Sequence, residues 1–223
     1  KRVVSSHVDL RHARTAMIPH GISRRFMKAR ERGYSIAGTV RILYVSIINF
    51  YKHQKNLVQA VGCLKRAGVD VELTLVGPAY GPALVELEKV IGEMDPEATF
   101  IRYFGAVSHE ELPGLYERAD IFAFPSTCEN MPNVLLEAMA LSMPIACSNK
   151  EPMPEVLGDA GVYFDAESPQ SIQEALMTLI QSEALRRSCG EKAHAKAAGY
   201  SWEACADATF EFLADTVRRL QES

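Results

Sequence analysis

Beyond residue 40, short apolar runs alternate with amphipathic stretches. Arg41–Ser46 (RILYVS), Val71–Val76 (VELTLV), Thr99–Phe104 (TFIRYF), Asp120–Phe124 (DIFAF), Pro144–Cys147 (PIAC) and Gly161–Phe164 are too short for helices and rich in aliphatic and aromatic residues, so each reads as a strand. Between them the apolar spacing turns helical. Leu57, Val58, Val61 and Leu64, with Ala60, predict a helix over Gln54–Arg66. Leu84, Val85, Leu87, Val90 and Ile91 predict another over Pro82–Glu93. Shorter helices are expected at Glu110–Arg118 and Pro132–Leu141. Strand then helix, repeated, implies right-handed crossovers and a parallel sheet covered on both faces. The fold class is therefore α/β, a doubly wound Rossmann-like parallel sheet, followed by C-terminal helices at Gln170–Gln181, Glu183–Ala198 and Trp202–Gln221. Ser201 is a suitable N-cap for the last, whose apolar stripe is Trp202, Cys205, Thr209/Phe210, Leu213, Val217 and Leu220.

The first 40 residues lack this alternation. They carry Lys1, Arg2, Arg11, Arg14, Arg24, Arg25, Lys28, Arg30 and Arg32, and Ile18-Pro19-His20-Gly21 reads as a turn. This stretch reads as a linker lying on a domain. The chain has 223 residues, begins with Lys and carries a formal charge of −4. A mild acidic balance disfavours a general nucleic-acid or anionic-membrane binder. There is no run of ~18 apolar residues to span a bilayer. The five cysteines have no C-x-x-C spacing, so free buried thiols are expected, with no disulfide scaffold or structural zinc.

Open doubly wound sheets bind ligands at the C-terminal ends of their strands. There the sequence places Tyr51-Lys52-His53-Gln54-Lys55, then Arg102-Tyr103-Phe104-Gly105, then Pro125 to Asn133. Cations and carboxylates converge on one edge, which suits a small polar ligand carrying phosphate. Pro132 suits the first turn of a helix, leaving the Asn133 and Val134 amides to point out as an anion site. Glu129 precedes that helix and Glu137 lies inside it. A carboxylate can accept paired hydrogen bonds from neighbouring hydroxyls such as those of a ribose. From spacing alone Glu137 reads first as a solvated or ion-paired helix residue, Glu129 nearly as much so, and Lys52 as a surface lysine. His53 and His109 lie near the site edge and His20 in the linker, and each reads as a surface or capping residue rather than a catalyst. His7 and His12 have no evident partner, and His194 falls in a tail helix.

The stretch Ala119 to Ser126, then Glu129-Asn130-Met131-Pro132-Asn133-Val134-Leu135-Leu136-Glu137 to Ala140, resembles the E-x7-E signature of the retaining GT-B glycosyltransferases of glycosyltransferase family 4. Ala16 to Phe26 resembles that family's inter-domain segment. Leu75-Val76-Gly77-Pro78, Phe104-Gly105-Ala106-Val107, Pro154-Glu155-Val156-Leu157 with Gly158, and Tyr200-Ser201-Trp202-Glu203 fall where the family has related motifs. The resemblance implies the C-terminal, donor-binding half of a GT-B fold. Residues 1–40 would be leader and inter-domain linker, 41–200 the nucleotide-sugar-binding domain, and 201–223 a helix packing back towards an N-terminal domain that this stretch does not include.

Carried over by position, the resemblance implies that Glu129 binds donor-sugar hydroxyls and Glu137 the ribose. Lys52 would neutralise the diphosphate, and Glu129 and Lys52 would be the catalytic pair. The Asn133 and Val134 amides, with Met131, would support the phosphates. Arg102 and Tyr103 would sit beside the base. Where the family often has Gly-Arg at the end of the first strand, this chain has Ser46-Ile47, so a second phosphate cation is absent or is supplied by Lys55 or by another domain. Pro132 replaces a common Gly.

The implied activity is transfer of a hexose or N-acetylhexosamine from a nucleotide-sugar, with a UDP-sugar favoured, to a glycan or polyprenyl-linked acceptor in surface polysaccharide synthesis. No metal and no cofactor are expected, nor any nucleic-acid partner. The expected place is the cytoplasm, with peripheral association at the inner membrane face if the acceptor is lipid-linked. Two other readings stand beside it: a nucleotide-sugar-binding module that catalyses nothing alone, and another GT-B enzyme such as an epimerase or phosphorylase. A dinucleotide dehydrogenase is disfavoured, because no G-x-G-x-x-G follows the first strand.

Overall fold

In the computed structural model, residues 13–27 and 33–221 are described. Lys1, Arg2, His7, Arg11, His12, Lys28, Arg30 and Arg32 lie outside them, and so does the side chain of Leu220. The six expected strands are present: β1 (Val40–Val45), β2 (Val71–Val76), β3 (Ile101–Tyr103), β4 (Ile121–Phe124), β5 (Ile145–Ser148) and β6 (Val162–Phe164). They form one parallel sheet in the order β3-β2-β1-β4-β5-β6. Central β4 and β5 are buried along their whole length, as a sheet covered on both faces requires.

The helices are α1 (Gln54–Arg66), α2 (Gly81–Met94), α3 (Leu112–Arg118), α4 (Asn133–Ala140), α5 (Met153–Leu157), α6 (Pro169–Gln181), α7 (Glu183–Ala197) and α8 (Trp202–Gln221). The hydrophobic pattern misses only α5. It is five residues long and carries Pro154, too short to show a period. Helix α1 packs against α2 and α6, and α4 packs against α7. The strand order reverses between β1 and β4. Right-handed crossovers running outwards both ways from that point put their helices on opposite faces. The loops after β1 and β4 therefore part there, opening a crevice at the C-terminal ends of the strands.

The segment before β1 is not irregular throughout. Ile22 pairs with Ser201 in a parallel bridge, and its amide donates to the Tyr200 carbonyl at 3.1 Å. A Cβ on Gly21 would lie 2.1 Å from the Trp202 nitrogen, so only glycine lets this segment pass the start of α8. Arg24–Phe26 forms a 3-10 turn that buries Phe26 completely. Arg14 donates to Asp215 and Thr216 and lies over the Phe212 ring, 5.1 Å from its centroid. Along α8 the apolar side chains of Trp202, Phe210, Leu213 and Val217 are 51 to 70% exposed.

All five cysteines are free, as expected, but only Cys147 and Cys189 are buried: Cys63 and Cys205 are half-buried, and Cys128 is exposed because it sits in the loop after β4 and not on an element. No helix among the described residues is long and apolar enough to cross a membrane.

Candidate donor site at the strand-order reversal

Asn49 starts the loop after β1 by accepting from the Phe50 amide at 2.8 Å, which opens a 3-10 turn over Phe50–Lys52. His53 then adopts a left-handed conformation, φ 49°, that bends the chain into α1. The turn folds Lys52 back over the sheet end, where the hydroxyl of buried Tyr44 donates to its carbonyl at 3.2 Å. The Lys52 ammonium pairs with Glu129 of the loop after β4, and both side chains are largely buried, 9% and 13% exposed. It also lies 5.3 Å from the Tyr51 ring centroid and 5.9 Å from that of Phe124.

A second lacing joins the same loops. The Thr127 amide and hydroxyl donate to the Tyr51 carbonyl at 2.9 and 3.2 Å. His53 Nε2 lies 2.9 Å from the Thr127 oxygen, and Asn56 Nδ2 lies 3.4 Å from His53 Nδ1. Since an amide NH2 only donates, Nδ1 accepts and the ring proton sits on Nε2. Burial pushes His53 below its ordinary value, consistent with a neutral ring in this role.

Helix α4 starts differently from expectation. Pro132 has φ −81° and ψ 73°, and the Asn133 amide donates to the Met131 carbonyl at 2.9 Å. This is an inverse γ-turn centred on Pro132. Pro132 is thus the cap rather than the first helical residue, and the Asn133 amide is consumed by the turn rather than free. The Val134 amide has no hydrogen-bond partner among the described residues. Met131 is half-buried against the core. Asn133 faces the site with its side chain instead: Oδ1 lies 3.2 Å from His20 Nδ1, and the His20 ring stacks on Trp202.

Glu137 sits one turn further along α4, on the same face as Asn133. The Tyr116 hydroxyl of α3 donates to Glu137 Oε2 and to the Val134 carbonyl, both at 3.3 Å. His109 Nε2 lies 3.7 Å from Glu137 Oε1. Burial pushes Glu137 up to about 7, partly offset by the tyrosine hydrogen bond. Glu137 is therefore neither solvated nor paired with a lysine or arginine among the described residues. Tyr116 is a site residue that the sequence reading missed, and His109, placed near the site edge, reads from sequence only as a surface or capping residue. Tyr116 falls inside the short helix expected at Glu110–Arg118 without a role of its own, and no spacing ties residue 109 to residue 137.

The third loop is braced by its own chain. A Cβ on Gly77, which has φ 141°, would lie 2.1 Å from the Ser46 carbonyl oxygen, so the ends of β1 and β2 touch. The Gly77 amide donates to the Gly105 carbonyl at 2.7 Å, and the Tyr103 hydroxyl donates to the Gly77 carbonyl at 2.9 Å. Arg102 is exposed on the edge strand. Ile47 is partly exposed beside this junction. Lys55, an alternative second cation, pairs with Glu86 of α2 at 3.2 Å. His194, on α7, lies 2.7 Å from the Ala140 carbonyl at the far end of α4. Among the described residues no group of three or more His, Cys, Asp or Glu side chains could hold a metal ion.

Residues 29–196 match the family "Glycosyl transferases group 1". The chain is 30% identical over 176 residues to O-antigen chain mannosyltransferase B of Escherichia coli, covering 79% of this chain and 46% of that protein. It spans less than half the length of the curated relatives it matches. Its fold matches the C-terminal domain of a glycosyl transferase group 1 family protein (LpcC) from Francisella tularensis, with TM-score 0.69 and 22% identity over 80% of this chain and 97% of that one. It also matches an Anabaena protein (HepE) solved in complex with UDP and glucose, with TM-score 0.72 and 21% identity over 80% of this chain and 49% of that one. A Rossmann-like sheet with this strand order, two carboxylates and a buried lysine at its reversal point, and a family match over most of the chain lead to one conclusion: the chain belongs to the glycosyl transferases group 1 family.

Proposed function

We propose that this chain is the nucleotide-sugar-binding half of a retaining family 4 glycosyltransferase. The observation that carries this is the buried Lys52–Glu129 pair at the strand-order reversal, beside the start of α4. A diphosphate at this point meets the Lys52 ammonium, the Val134 amide and the positive end of the α4 dipole. A sugar on one side reaches Glu129, and a ribose on the other reaches Glu137. Met131 and Asn133 line the phosphates, and Arg102 and Tyr103 border the base, Tyr103 through its backbone because its hydroxyl is engaged.

The departing nucleoside diphosphate gathers negative charge as the glycosidic bond breaks. Catalysis is then largely stabilisation of that charge by groups already in place, Lys52 above all. Once Lys52 turns to phosphate, Glu129 is released to accept from sugar hydroxyls. We assign the reaction to transfer without a protein-held metal. A UDP-sugar is the first choice of donor, the Anabaena neighbour having been solved with UDP and glucose. The acceptor is a glycan or a polyprenyl-linked saccharide, and the enzyme works in the cytoplasm, at the membrane face when the acceptor is lipid-linked. The acceptor side belongs to a further domain joined through residues 1–40, and the bare face of α8 packs towards it. These 223 residues alone then bind donor without transferring it.

Calorimetric titration of the chain with UDP, GDP and their sugar conjugates tests the binding. Saturable 1:1 binding of one nucleotide, lost in Lys52→Ala, is expected. Binding of none of them would overturn the reading, as would near-wild-type transfer by the full-length enzyme carrying Lys52→Ala and Glu129→Ala.

A further inference from the structure

Two residues of α4 that face the site, Asn133 and Glu137, are each met by the segment before β1. His20 reaches Asn133 directly. Arg25 reaches Glu137 through an intermediary: its Nη1 lies 3.3 Å from His109 Nδ1 and 3.4 Å from the His109 carbonyl. A guanidinium can only donate, so Nδ1 is the acceptor and the neutral ring carries its proton on Nε2. That nitrogen is the one 3.7 Å from Glu137 Oε1.

The same segment fixes the ring's plane. Phe26, wholly buried, meets His109 edge-on at 5.4 Å and Tyr116 edge-on at 6.0 Å. Both partners of the Glu137 carboxylate are therefore seated on one side chain of the segment. Tyr116 holds Oε2, and His109 faces Oε1. The groups around Glu137 are Tyr116 from α3 and His109 from the loop before it, with Arg25 behind His109 and His20 a turn away at Asn133.

We propose that His109 is a positioning residue for Glu137, held in tautomer and plane by Arg25 and Phe26, and that it carries the location of the N-terminal segment into the nucleotide pocket. The inference rests on the assignment of Glu137 to the ribose. At 3.7 Å the histidine orients the carboxylate rather than hydrogen-bonding it tightly. This leaves Oε1 with lone pairs for two neighbouring hydroxyls, in an orientation set from outside the site. Any displacement of residues 20–27 would turn His109 and with it the ribose contact, although no residue of that segment needs to touch the base or the sugar.

The test is UDP and GDP titration of the 223-residue chain with His109→Phe, which keeps the ring but loses both nitrogens, and His109→Gln, which keeps a donor near the Nε2 position. The expected result is a loss of about tenfold in nucleotide affinity for H109F, the size of one directed polar contact, with H109Q restoring most of it. The Glu137 carboxyl, followed by 13C NMR without ligand, should titrate at higher pH in H109F than in the wild type. Arg25→Met, at an exposed position, should reproduce part of the loss, and the loss should vanish in the Glu137→Gln background. Nucleotide binding by the wild type with unchanged affinity and carboxyl titration in H109F overturns this inference alone. Absence of any nucleotide binding by the wild type overturns the proposed function and the inference with it. Should H109F fail to fold, R25M with and without Glu137→Gln decides: equal losses in both backgrounds overturn the proposal.

Discussion

Lys52 and Glu129 form a buried ion pair across 77 residues of sequence, one from each of the two loops that part at the strand-order reversal. Each shields the other's charge, and in the proposed function each is a group that a nucleotide-sugar engages. Removing one partner strands a largely buried charge. Glu129→Ala and Lys52→Met should each cost about 3 kcal/mol in urea denaturation, while the double variant should cost less than the sum. Independent, additive losses would show that the pair is not coupled.

Glu137 sets a pH dependence with a definite sign. Burial raises its folded value to about 7 from an ordinary 4.5, so the folded chain holds the proton more tightly than the unfolded one. Its contribution is fully present below pH 4.5 and is lost as pH rises through 7. Glu137→Gln should therefore be more stable than the wild type at pH 8, by up to about 3 kcal/mol, with the difference disappearing near pH 4. Thermal denaturation of both proteins across that range checks this.

In the proposed ribose-binding role the same carboxyl makes ligand binding depend on pH. Only the ionised form offers all its lone pairs to ribose hydroxyls. UDP-glucose, whose diester phosphates do not titrate in this range, should bind more tightly as pH rises from 6 to 8, and its binding near pH 6.5 should release protons. Calorimetry in buffers of different ionisation enthalpy reads that release directly, and Glu137→Gln should abolish it.

Gly77 holds the ends of β1 and β2 in contact. Gly77→Ala would force a Cβ against the Ser46 carbonyl oxygen at a backbone conformation other residues avoid. A loss of at least about 2 kcal/mol is expected, together with weaker nucleotide binding as the loop carrying Lys52 shifts. Equilibrium unfolding and titration on one preparation test both.

The Tyr103 hydroxyl braces the Gly77 carbonyl. Tyr103→Phe should lose about 1 kcal/mol of stability yet leave the preference between UDP and GDP unchanged. A changed preference would mean that the hydroxyl turns to the base when ligand binds.

Much of the molecule was legible in its hydrophobic pattern. Apolar period reports one element at a time, which is why all six strands and every helix but α5 followed from it. The spaced motifs, E-x7-E within the loop and helix after β4 above all, were enough to single out Lys52, Glu129 and Glu137 as candidates. The order of the strands, and so the place where the loops part, came only with the folded sheet. So did the partners. Whether Lys52 points to solvent or to Glu129 depends on a left-handed turn at His53, and whether the Asn133 amide is free depends on ψ at Pro132. Single dihedrals of that kind leave no trace in a periodicity. The environment of Glu137, a carboxyl held by Tyr116 and His109 and pushed up by burial, arises from elements distant in sequence meeting in one crevice. Its chemistry was decided by packing, where the sequence had shown only that a carboxylate was there.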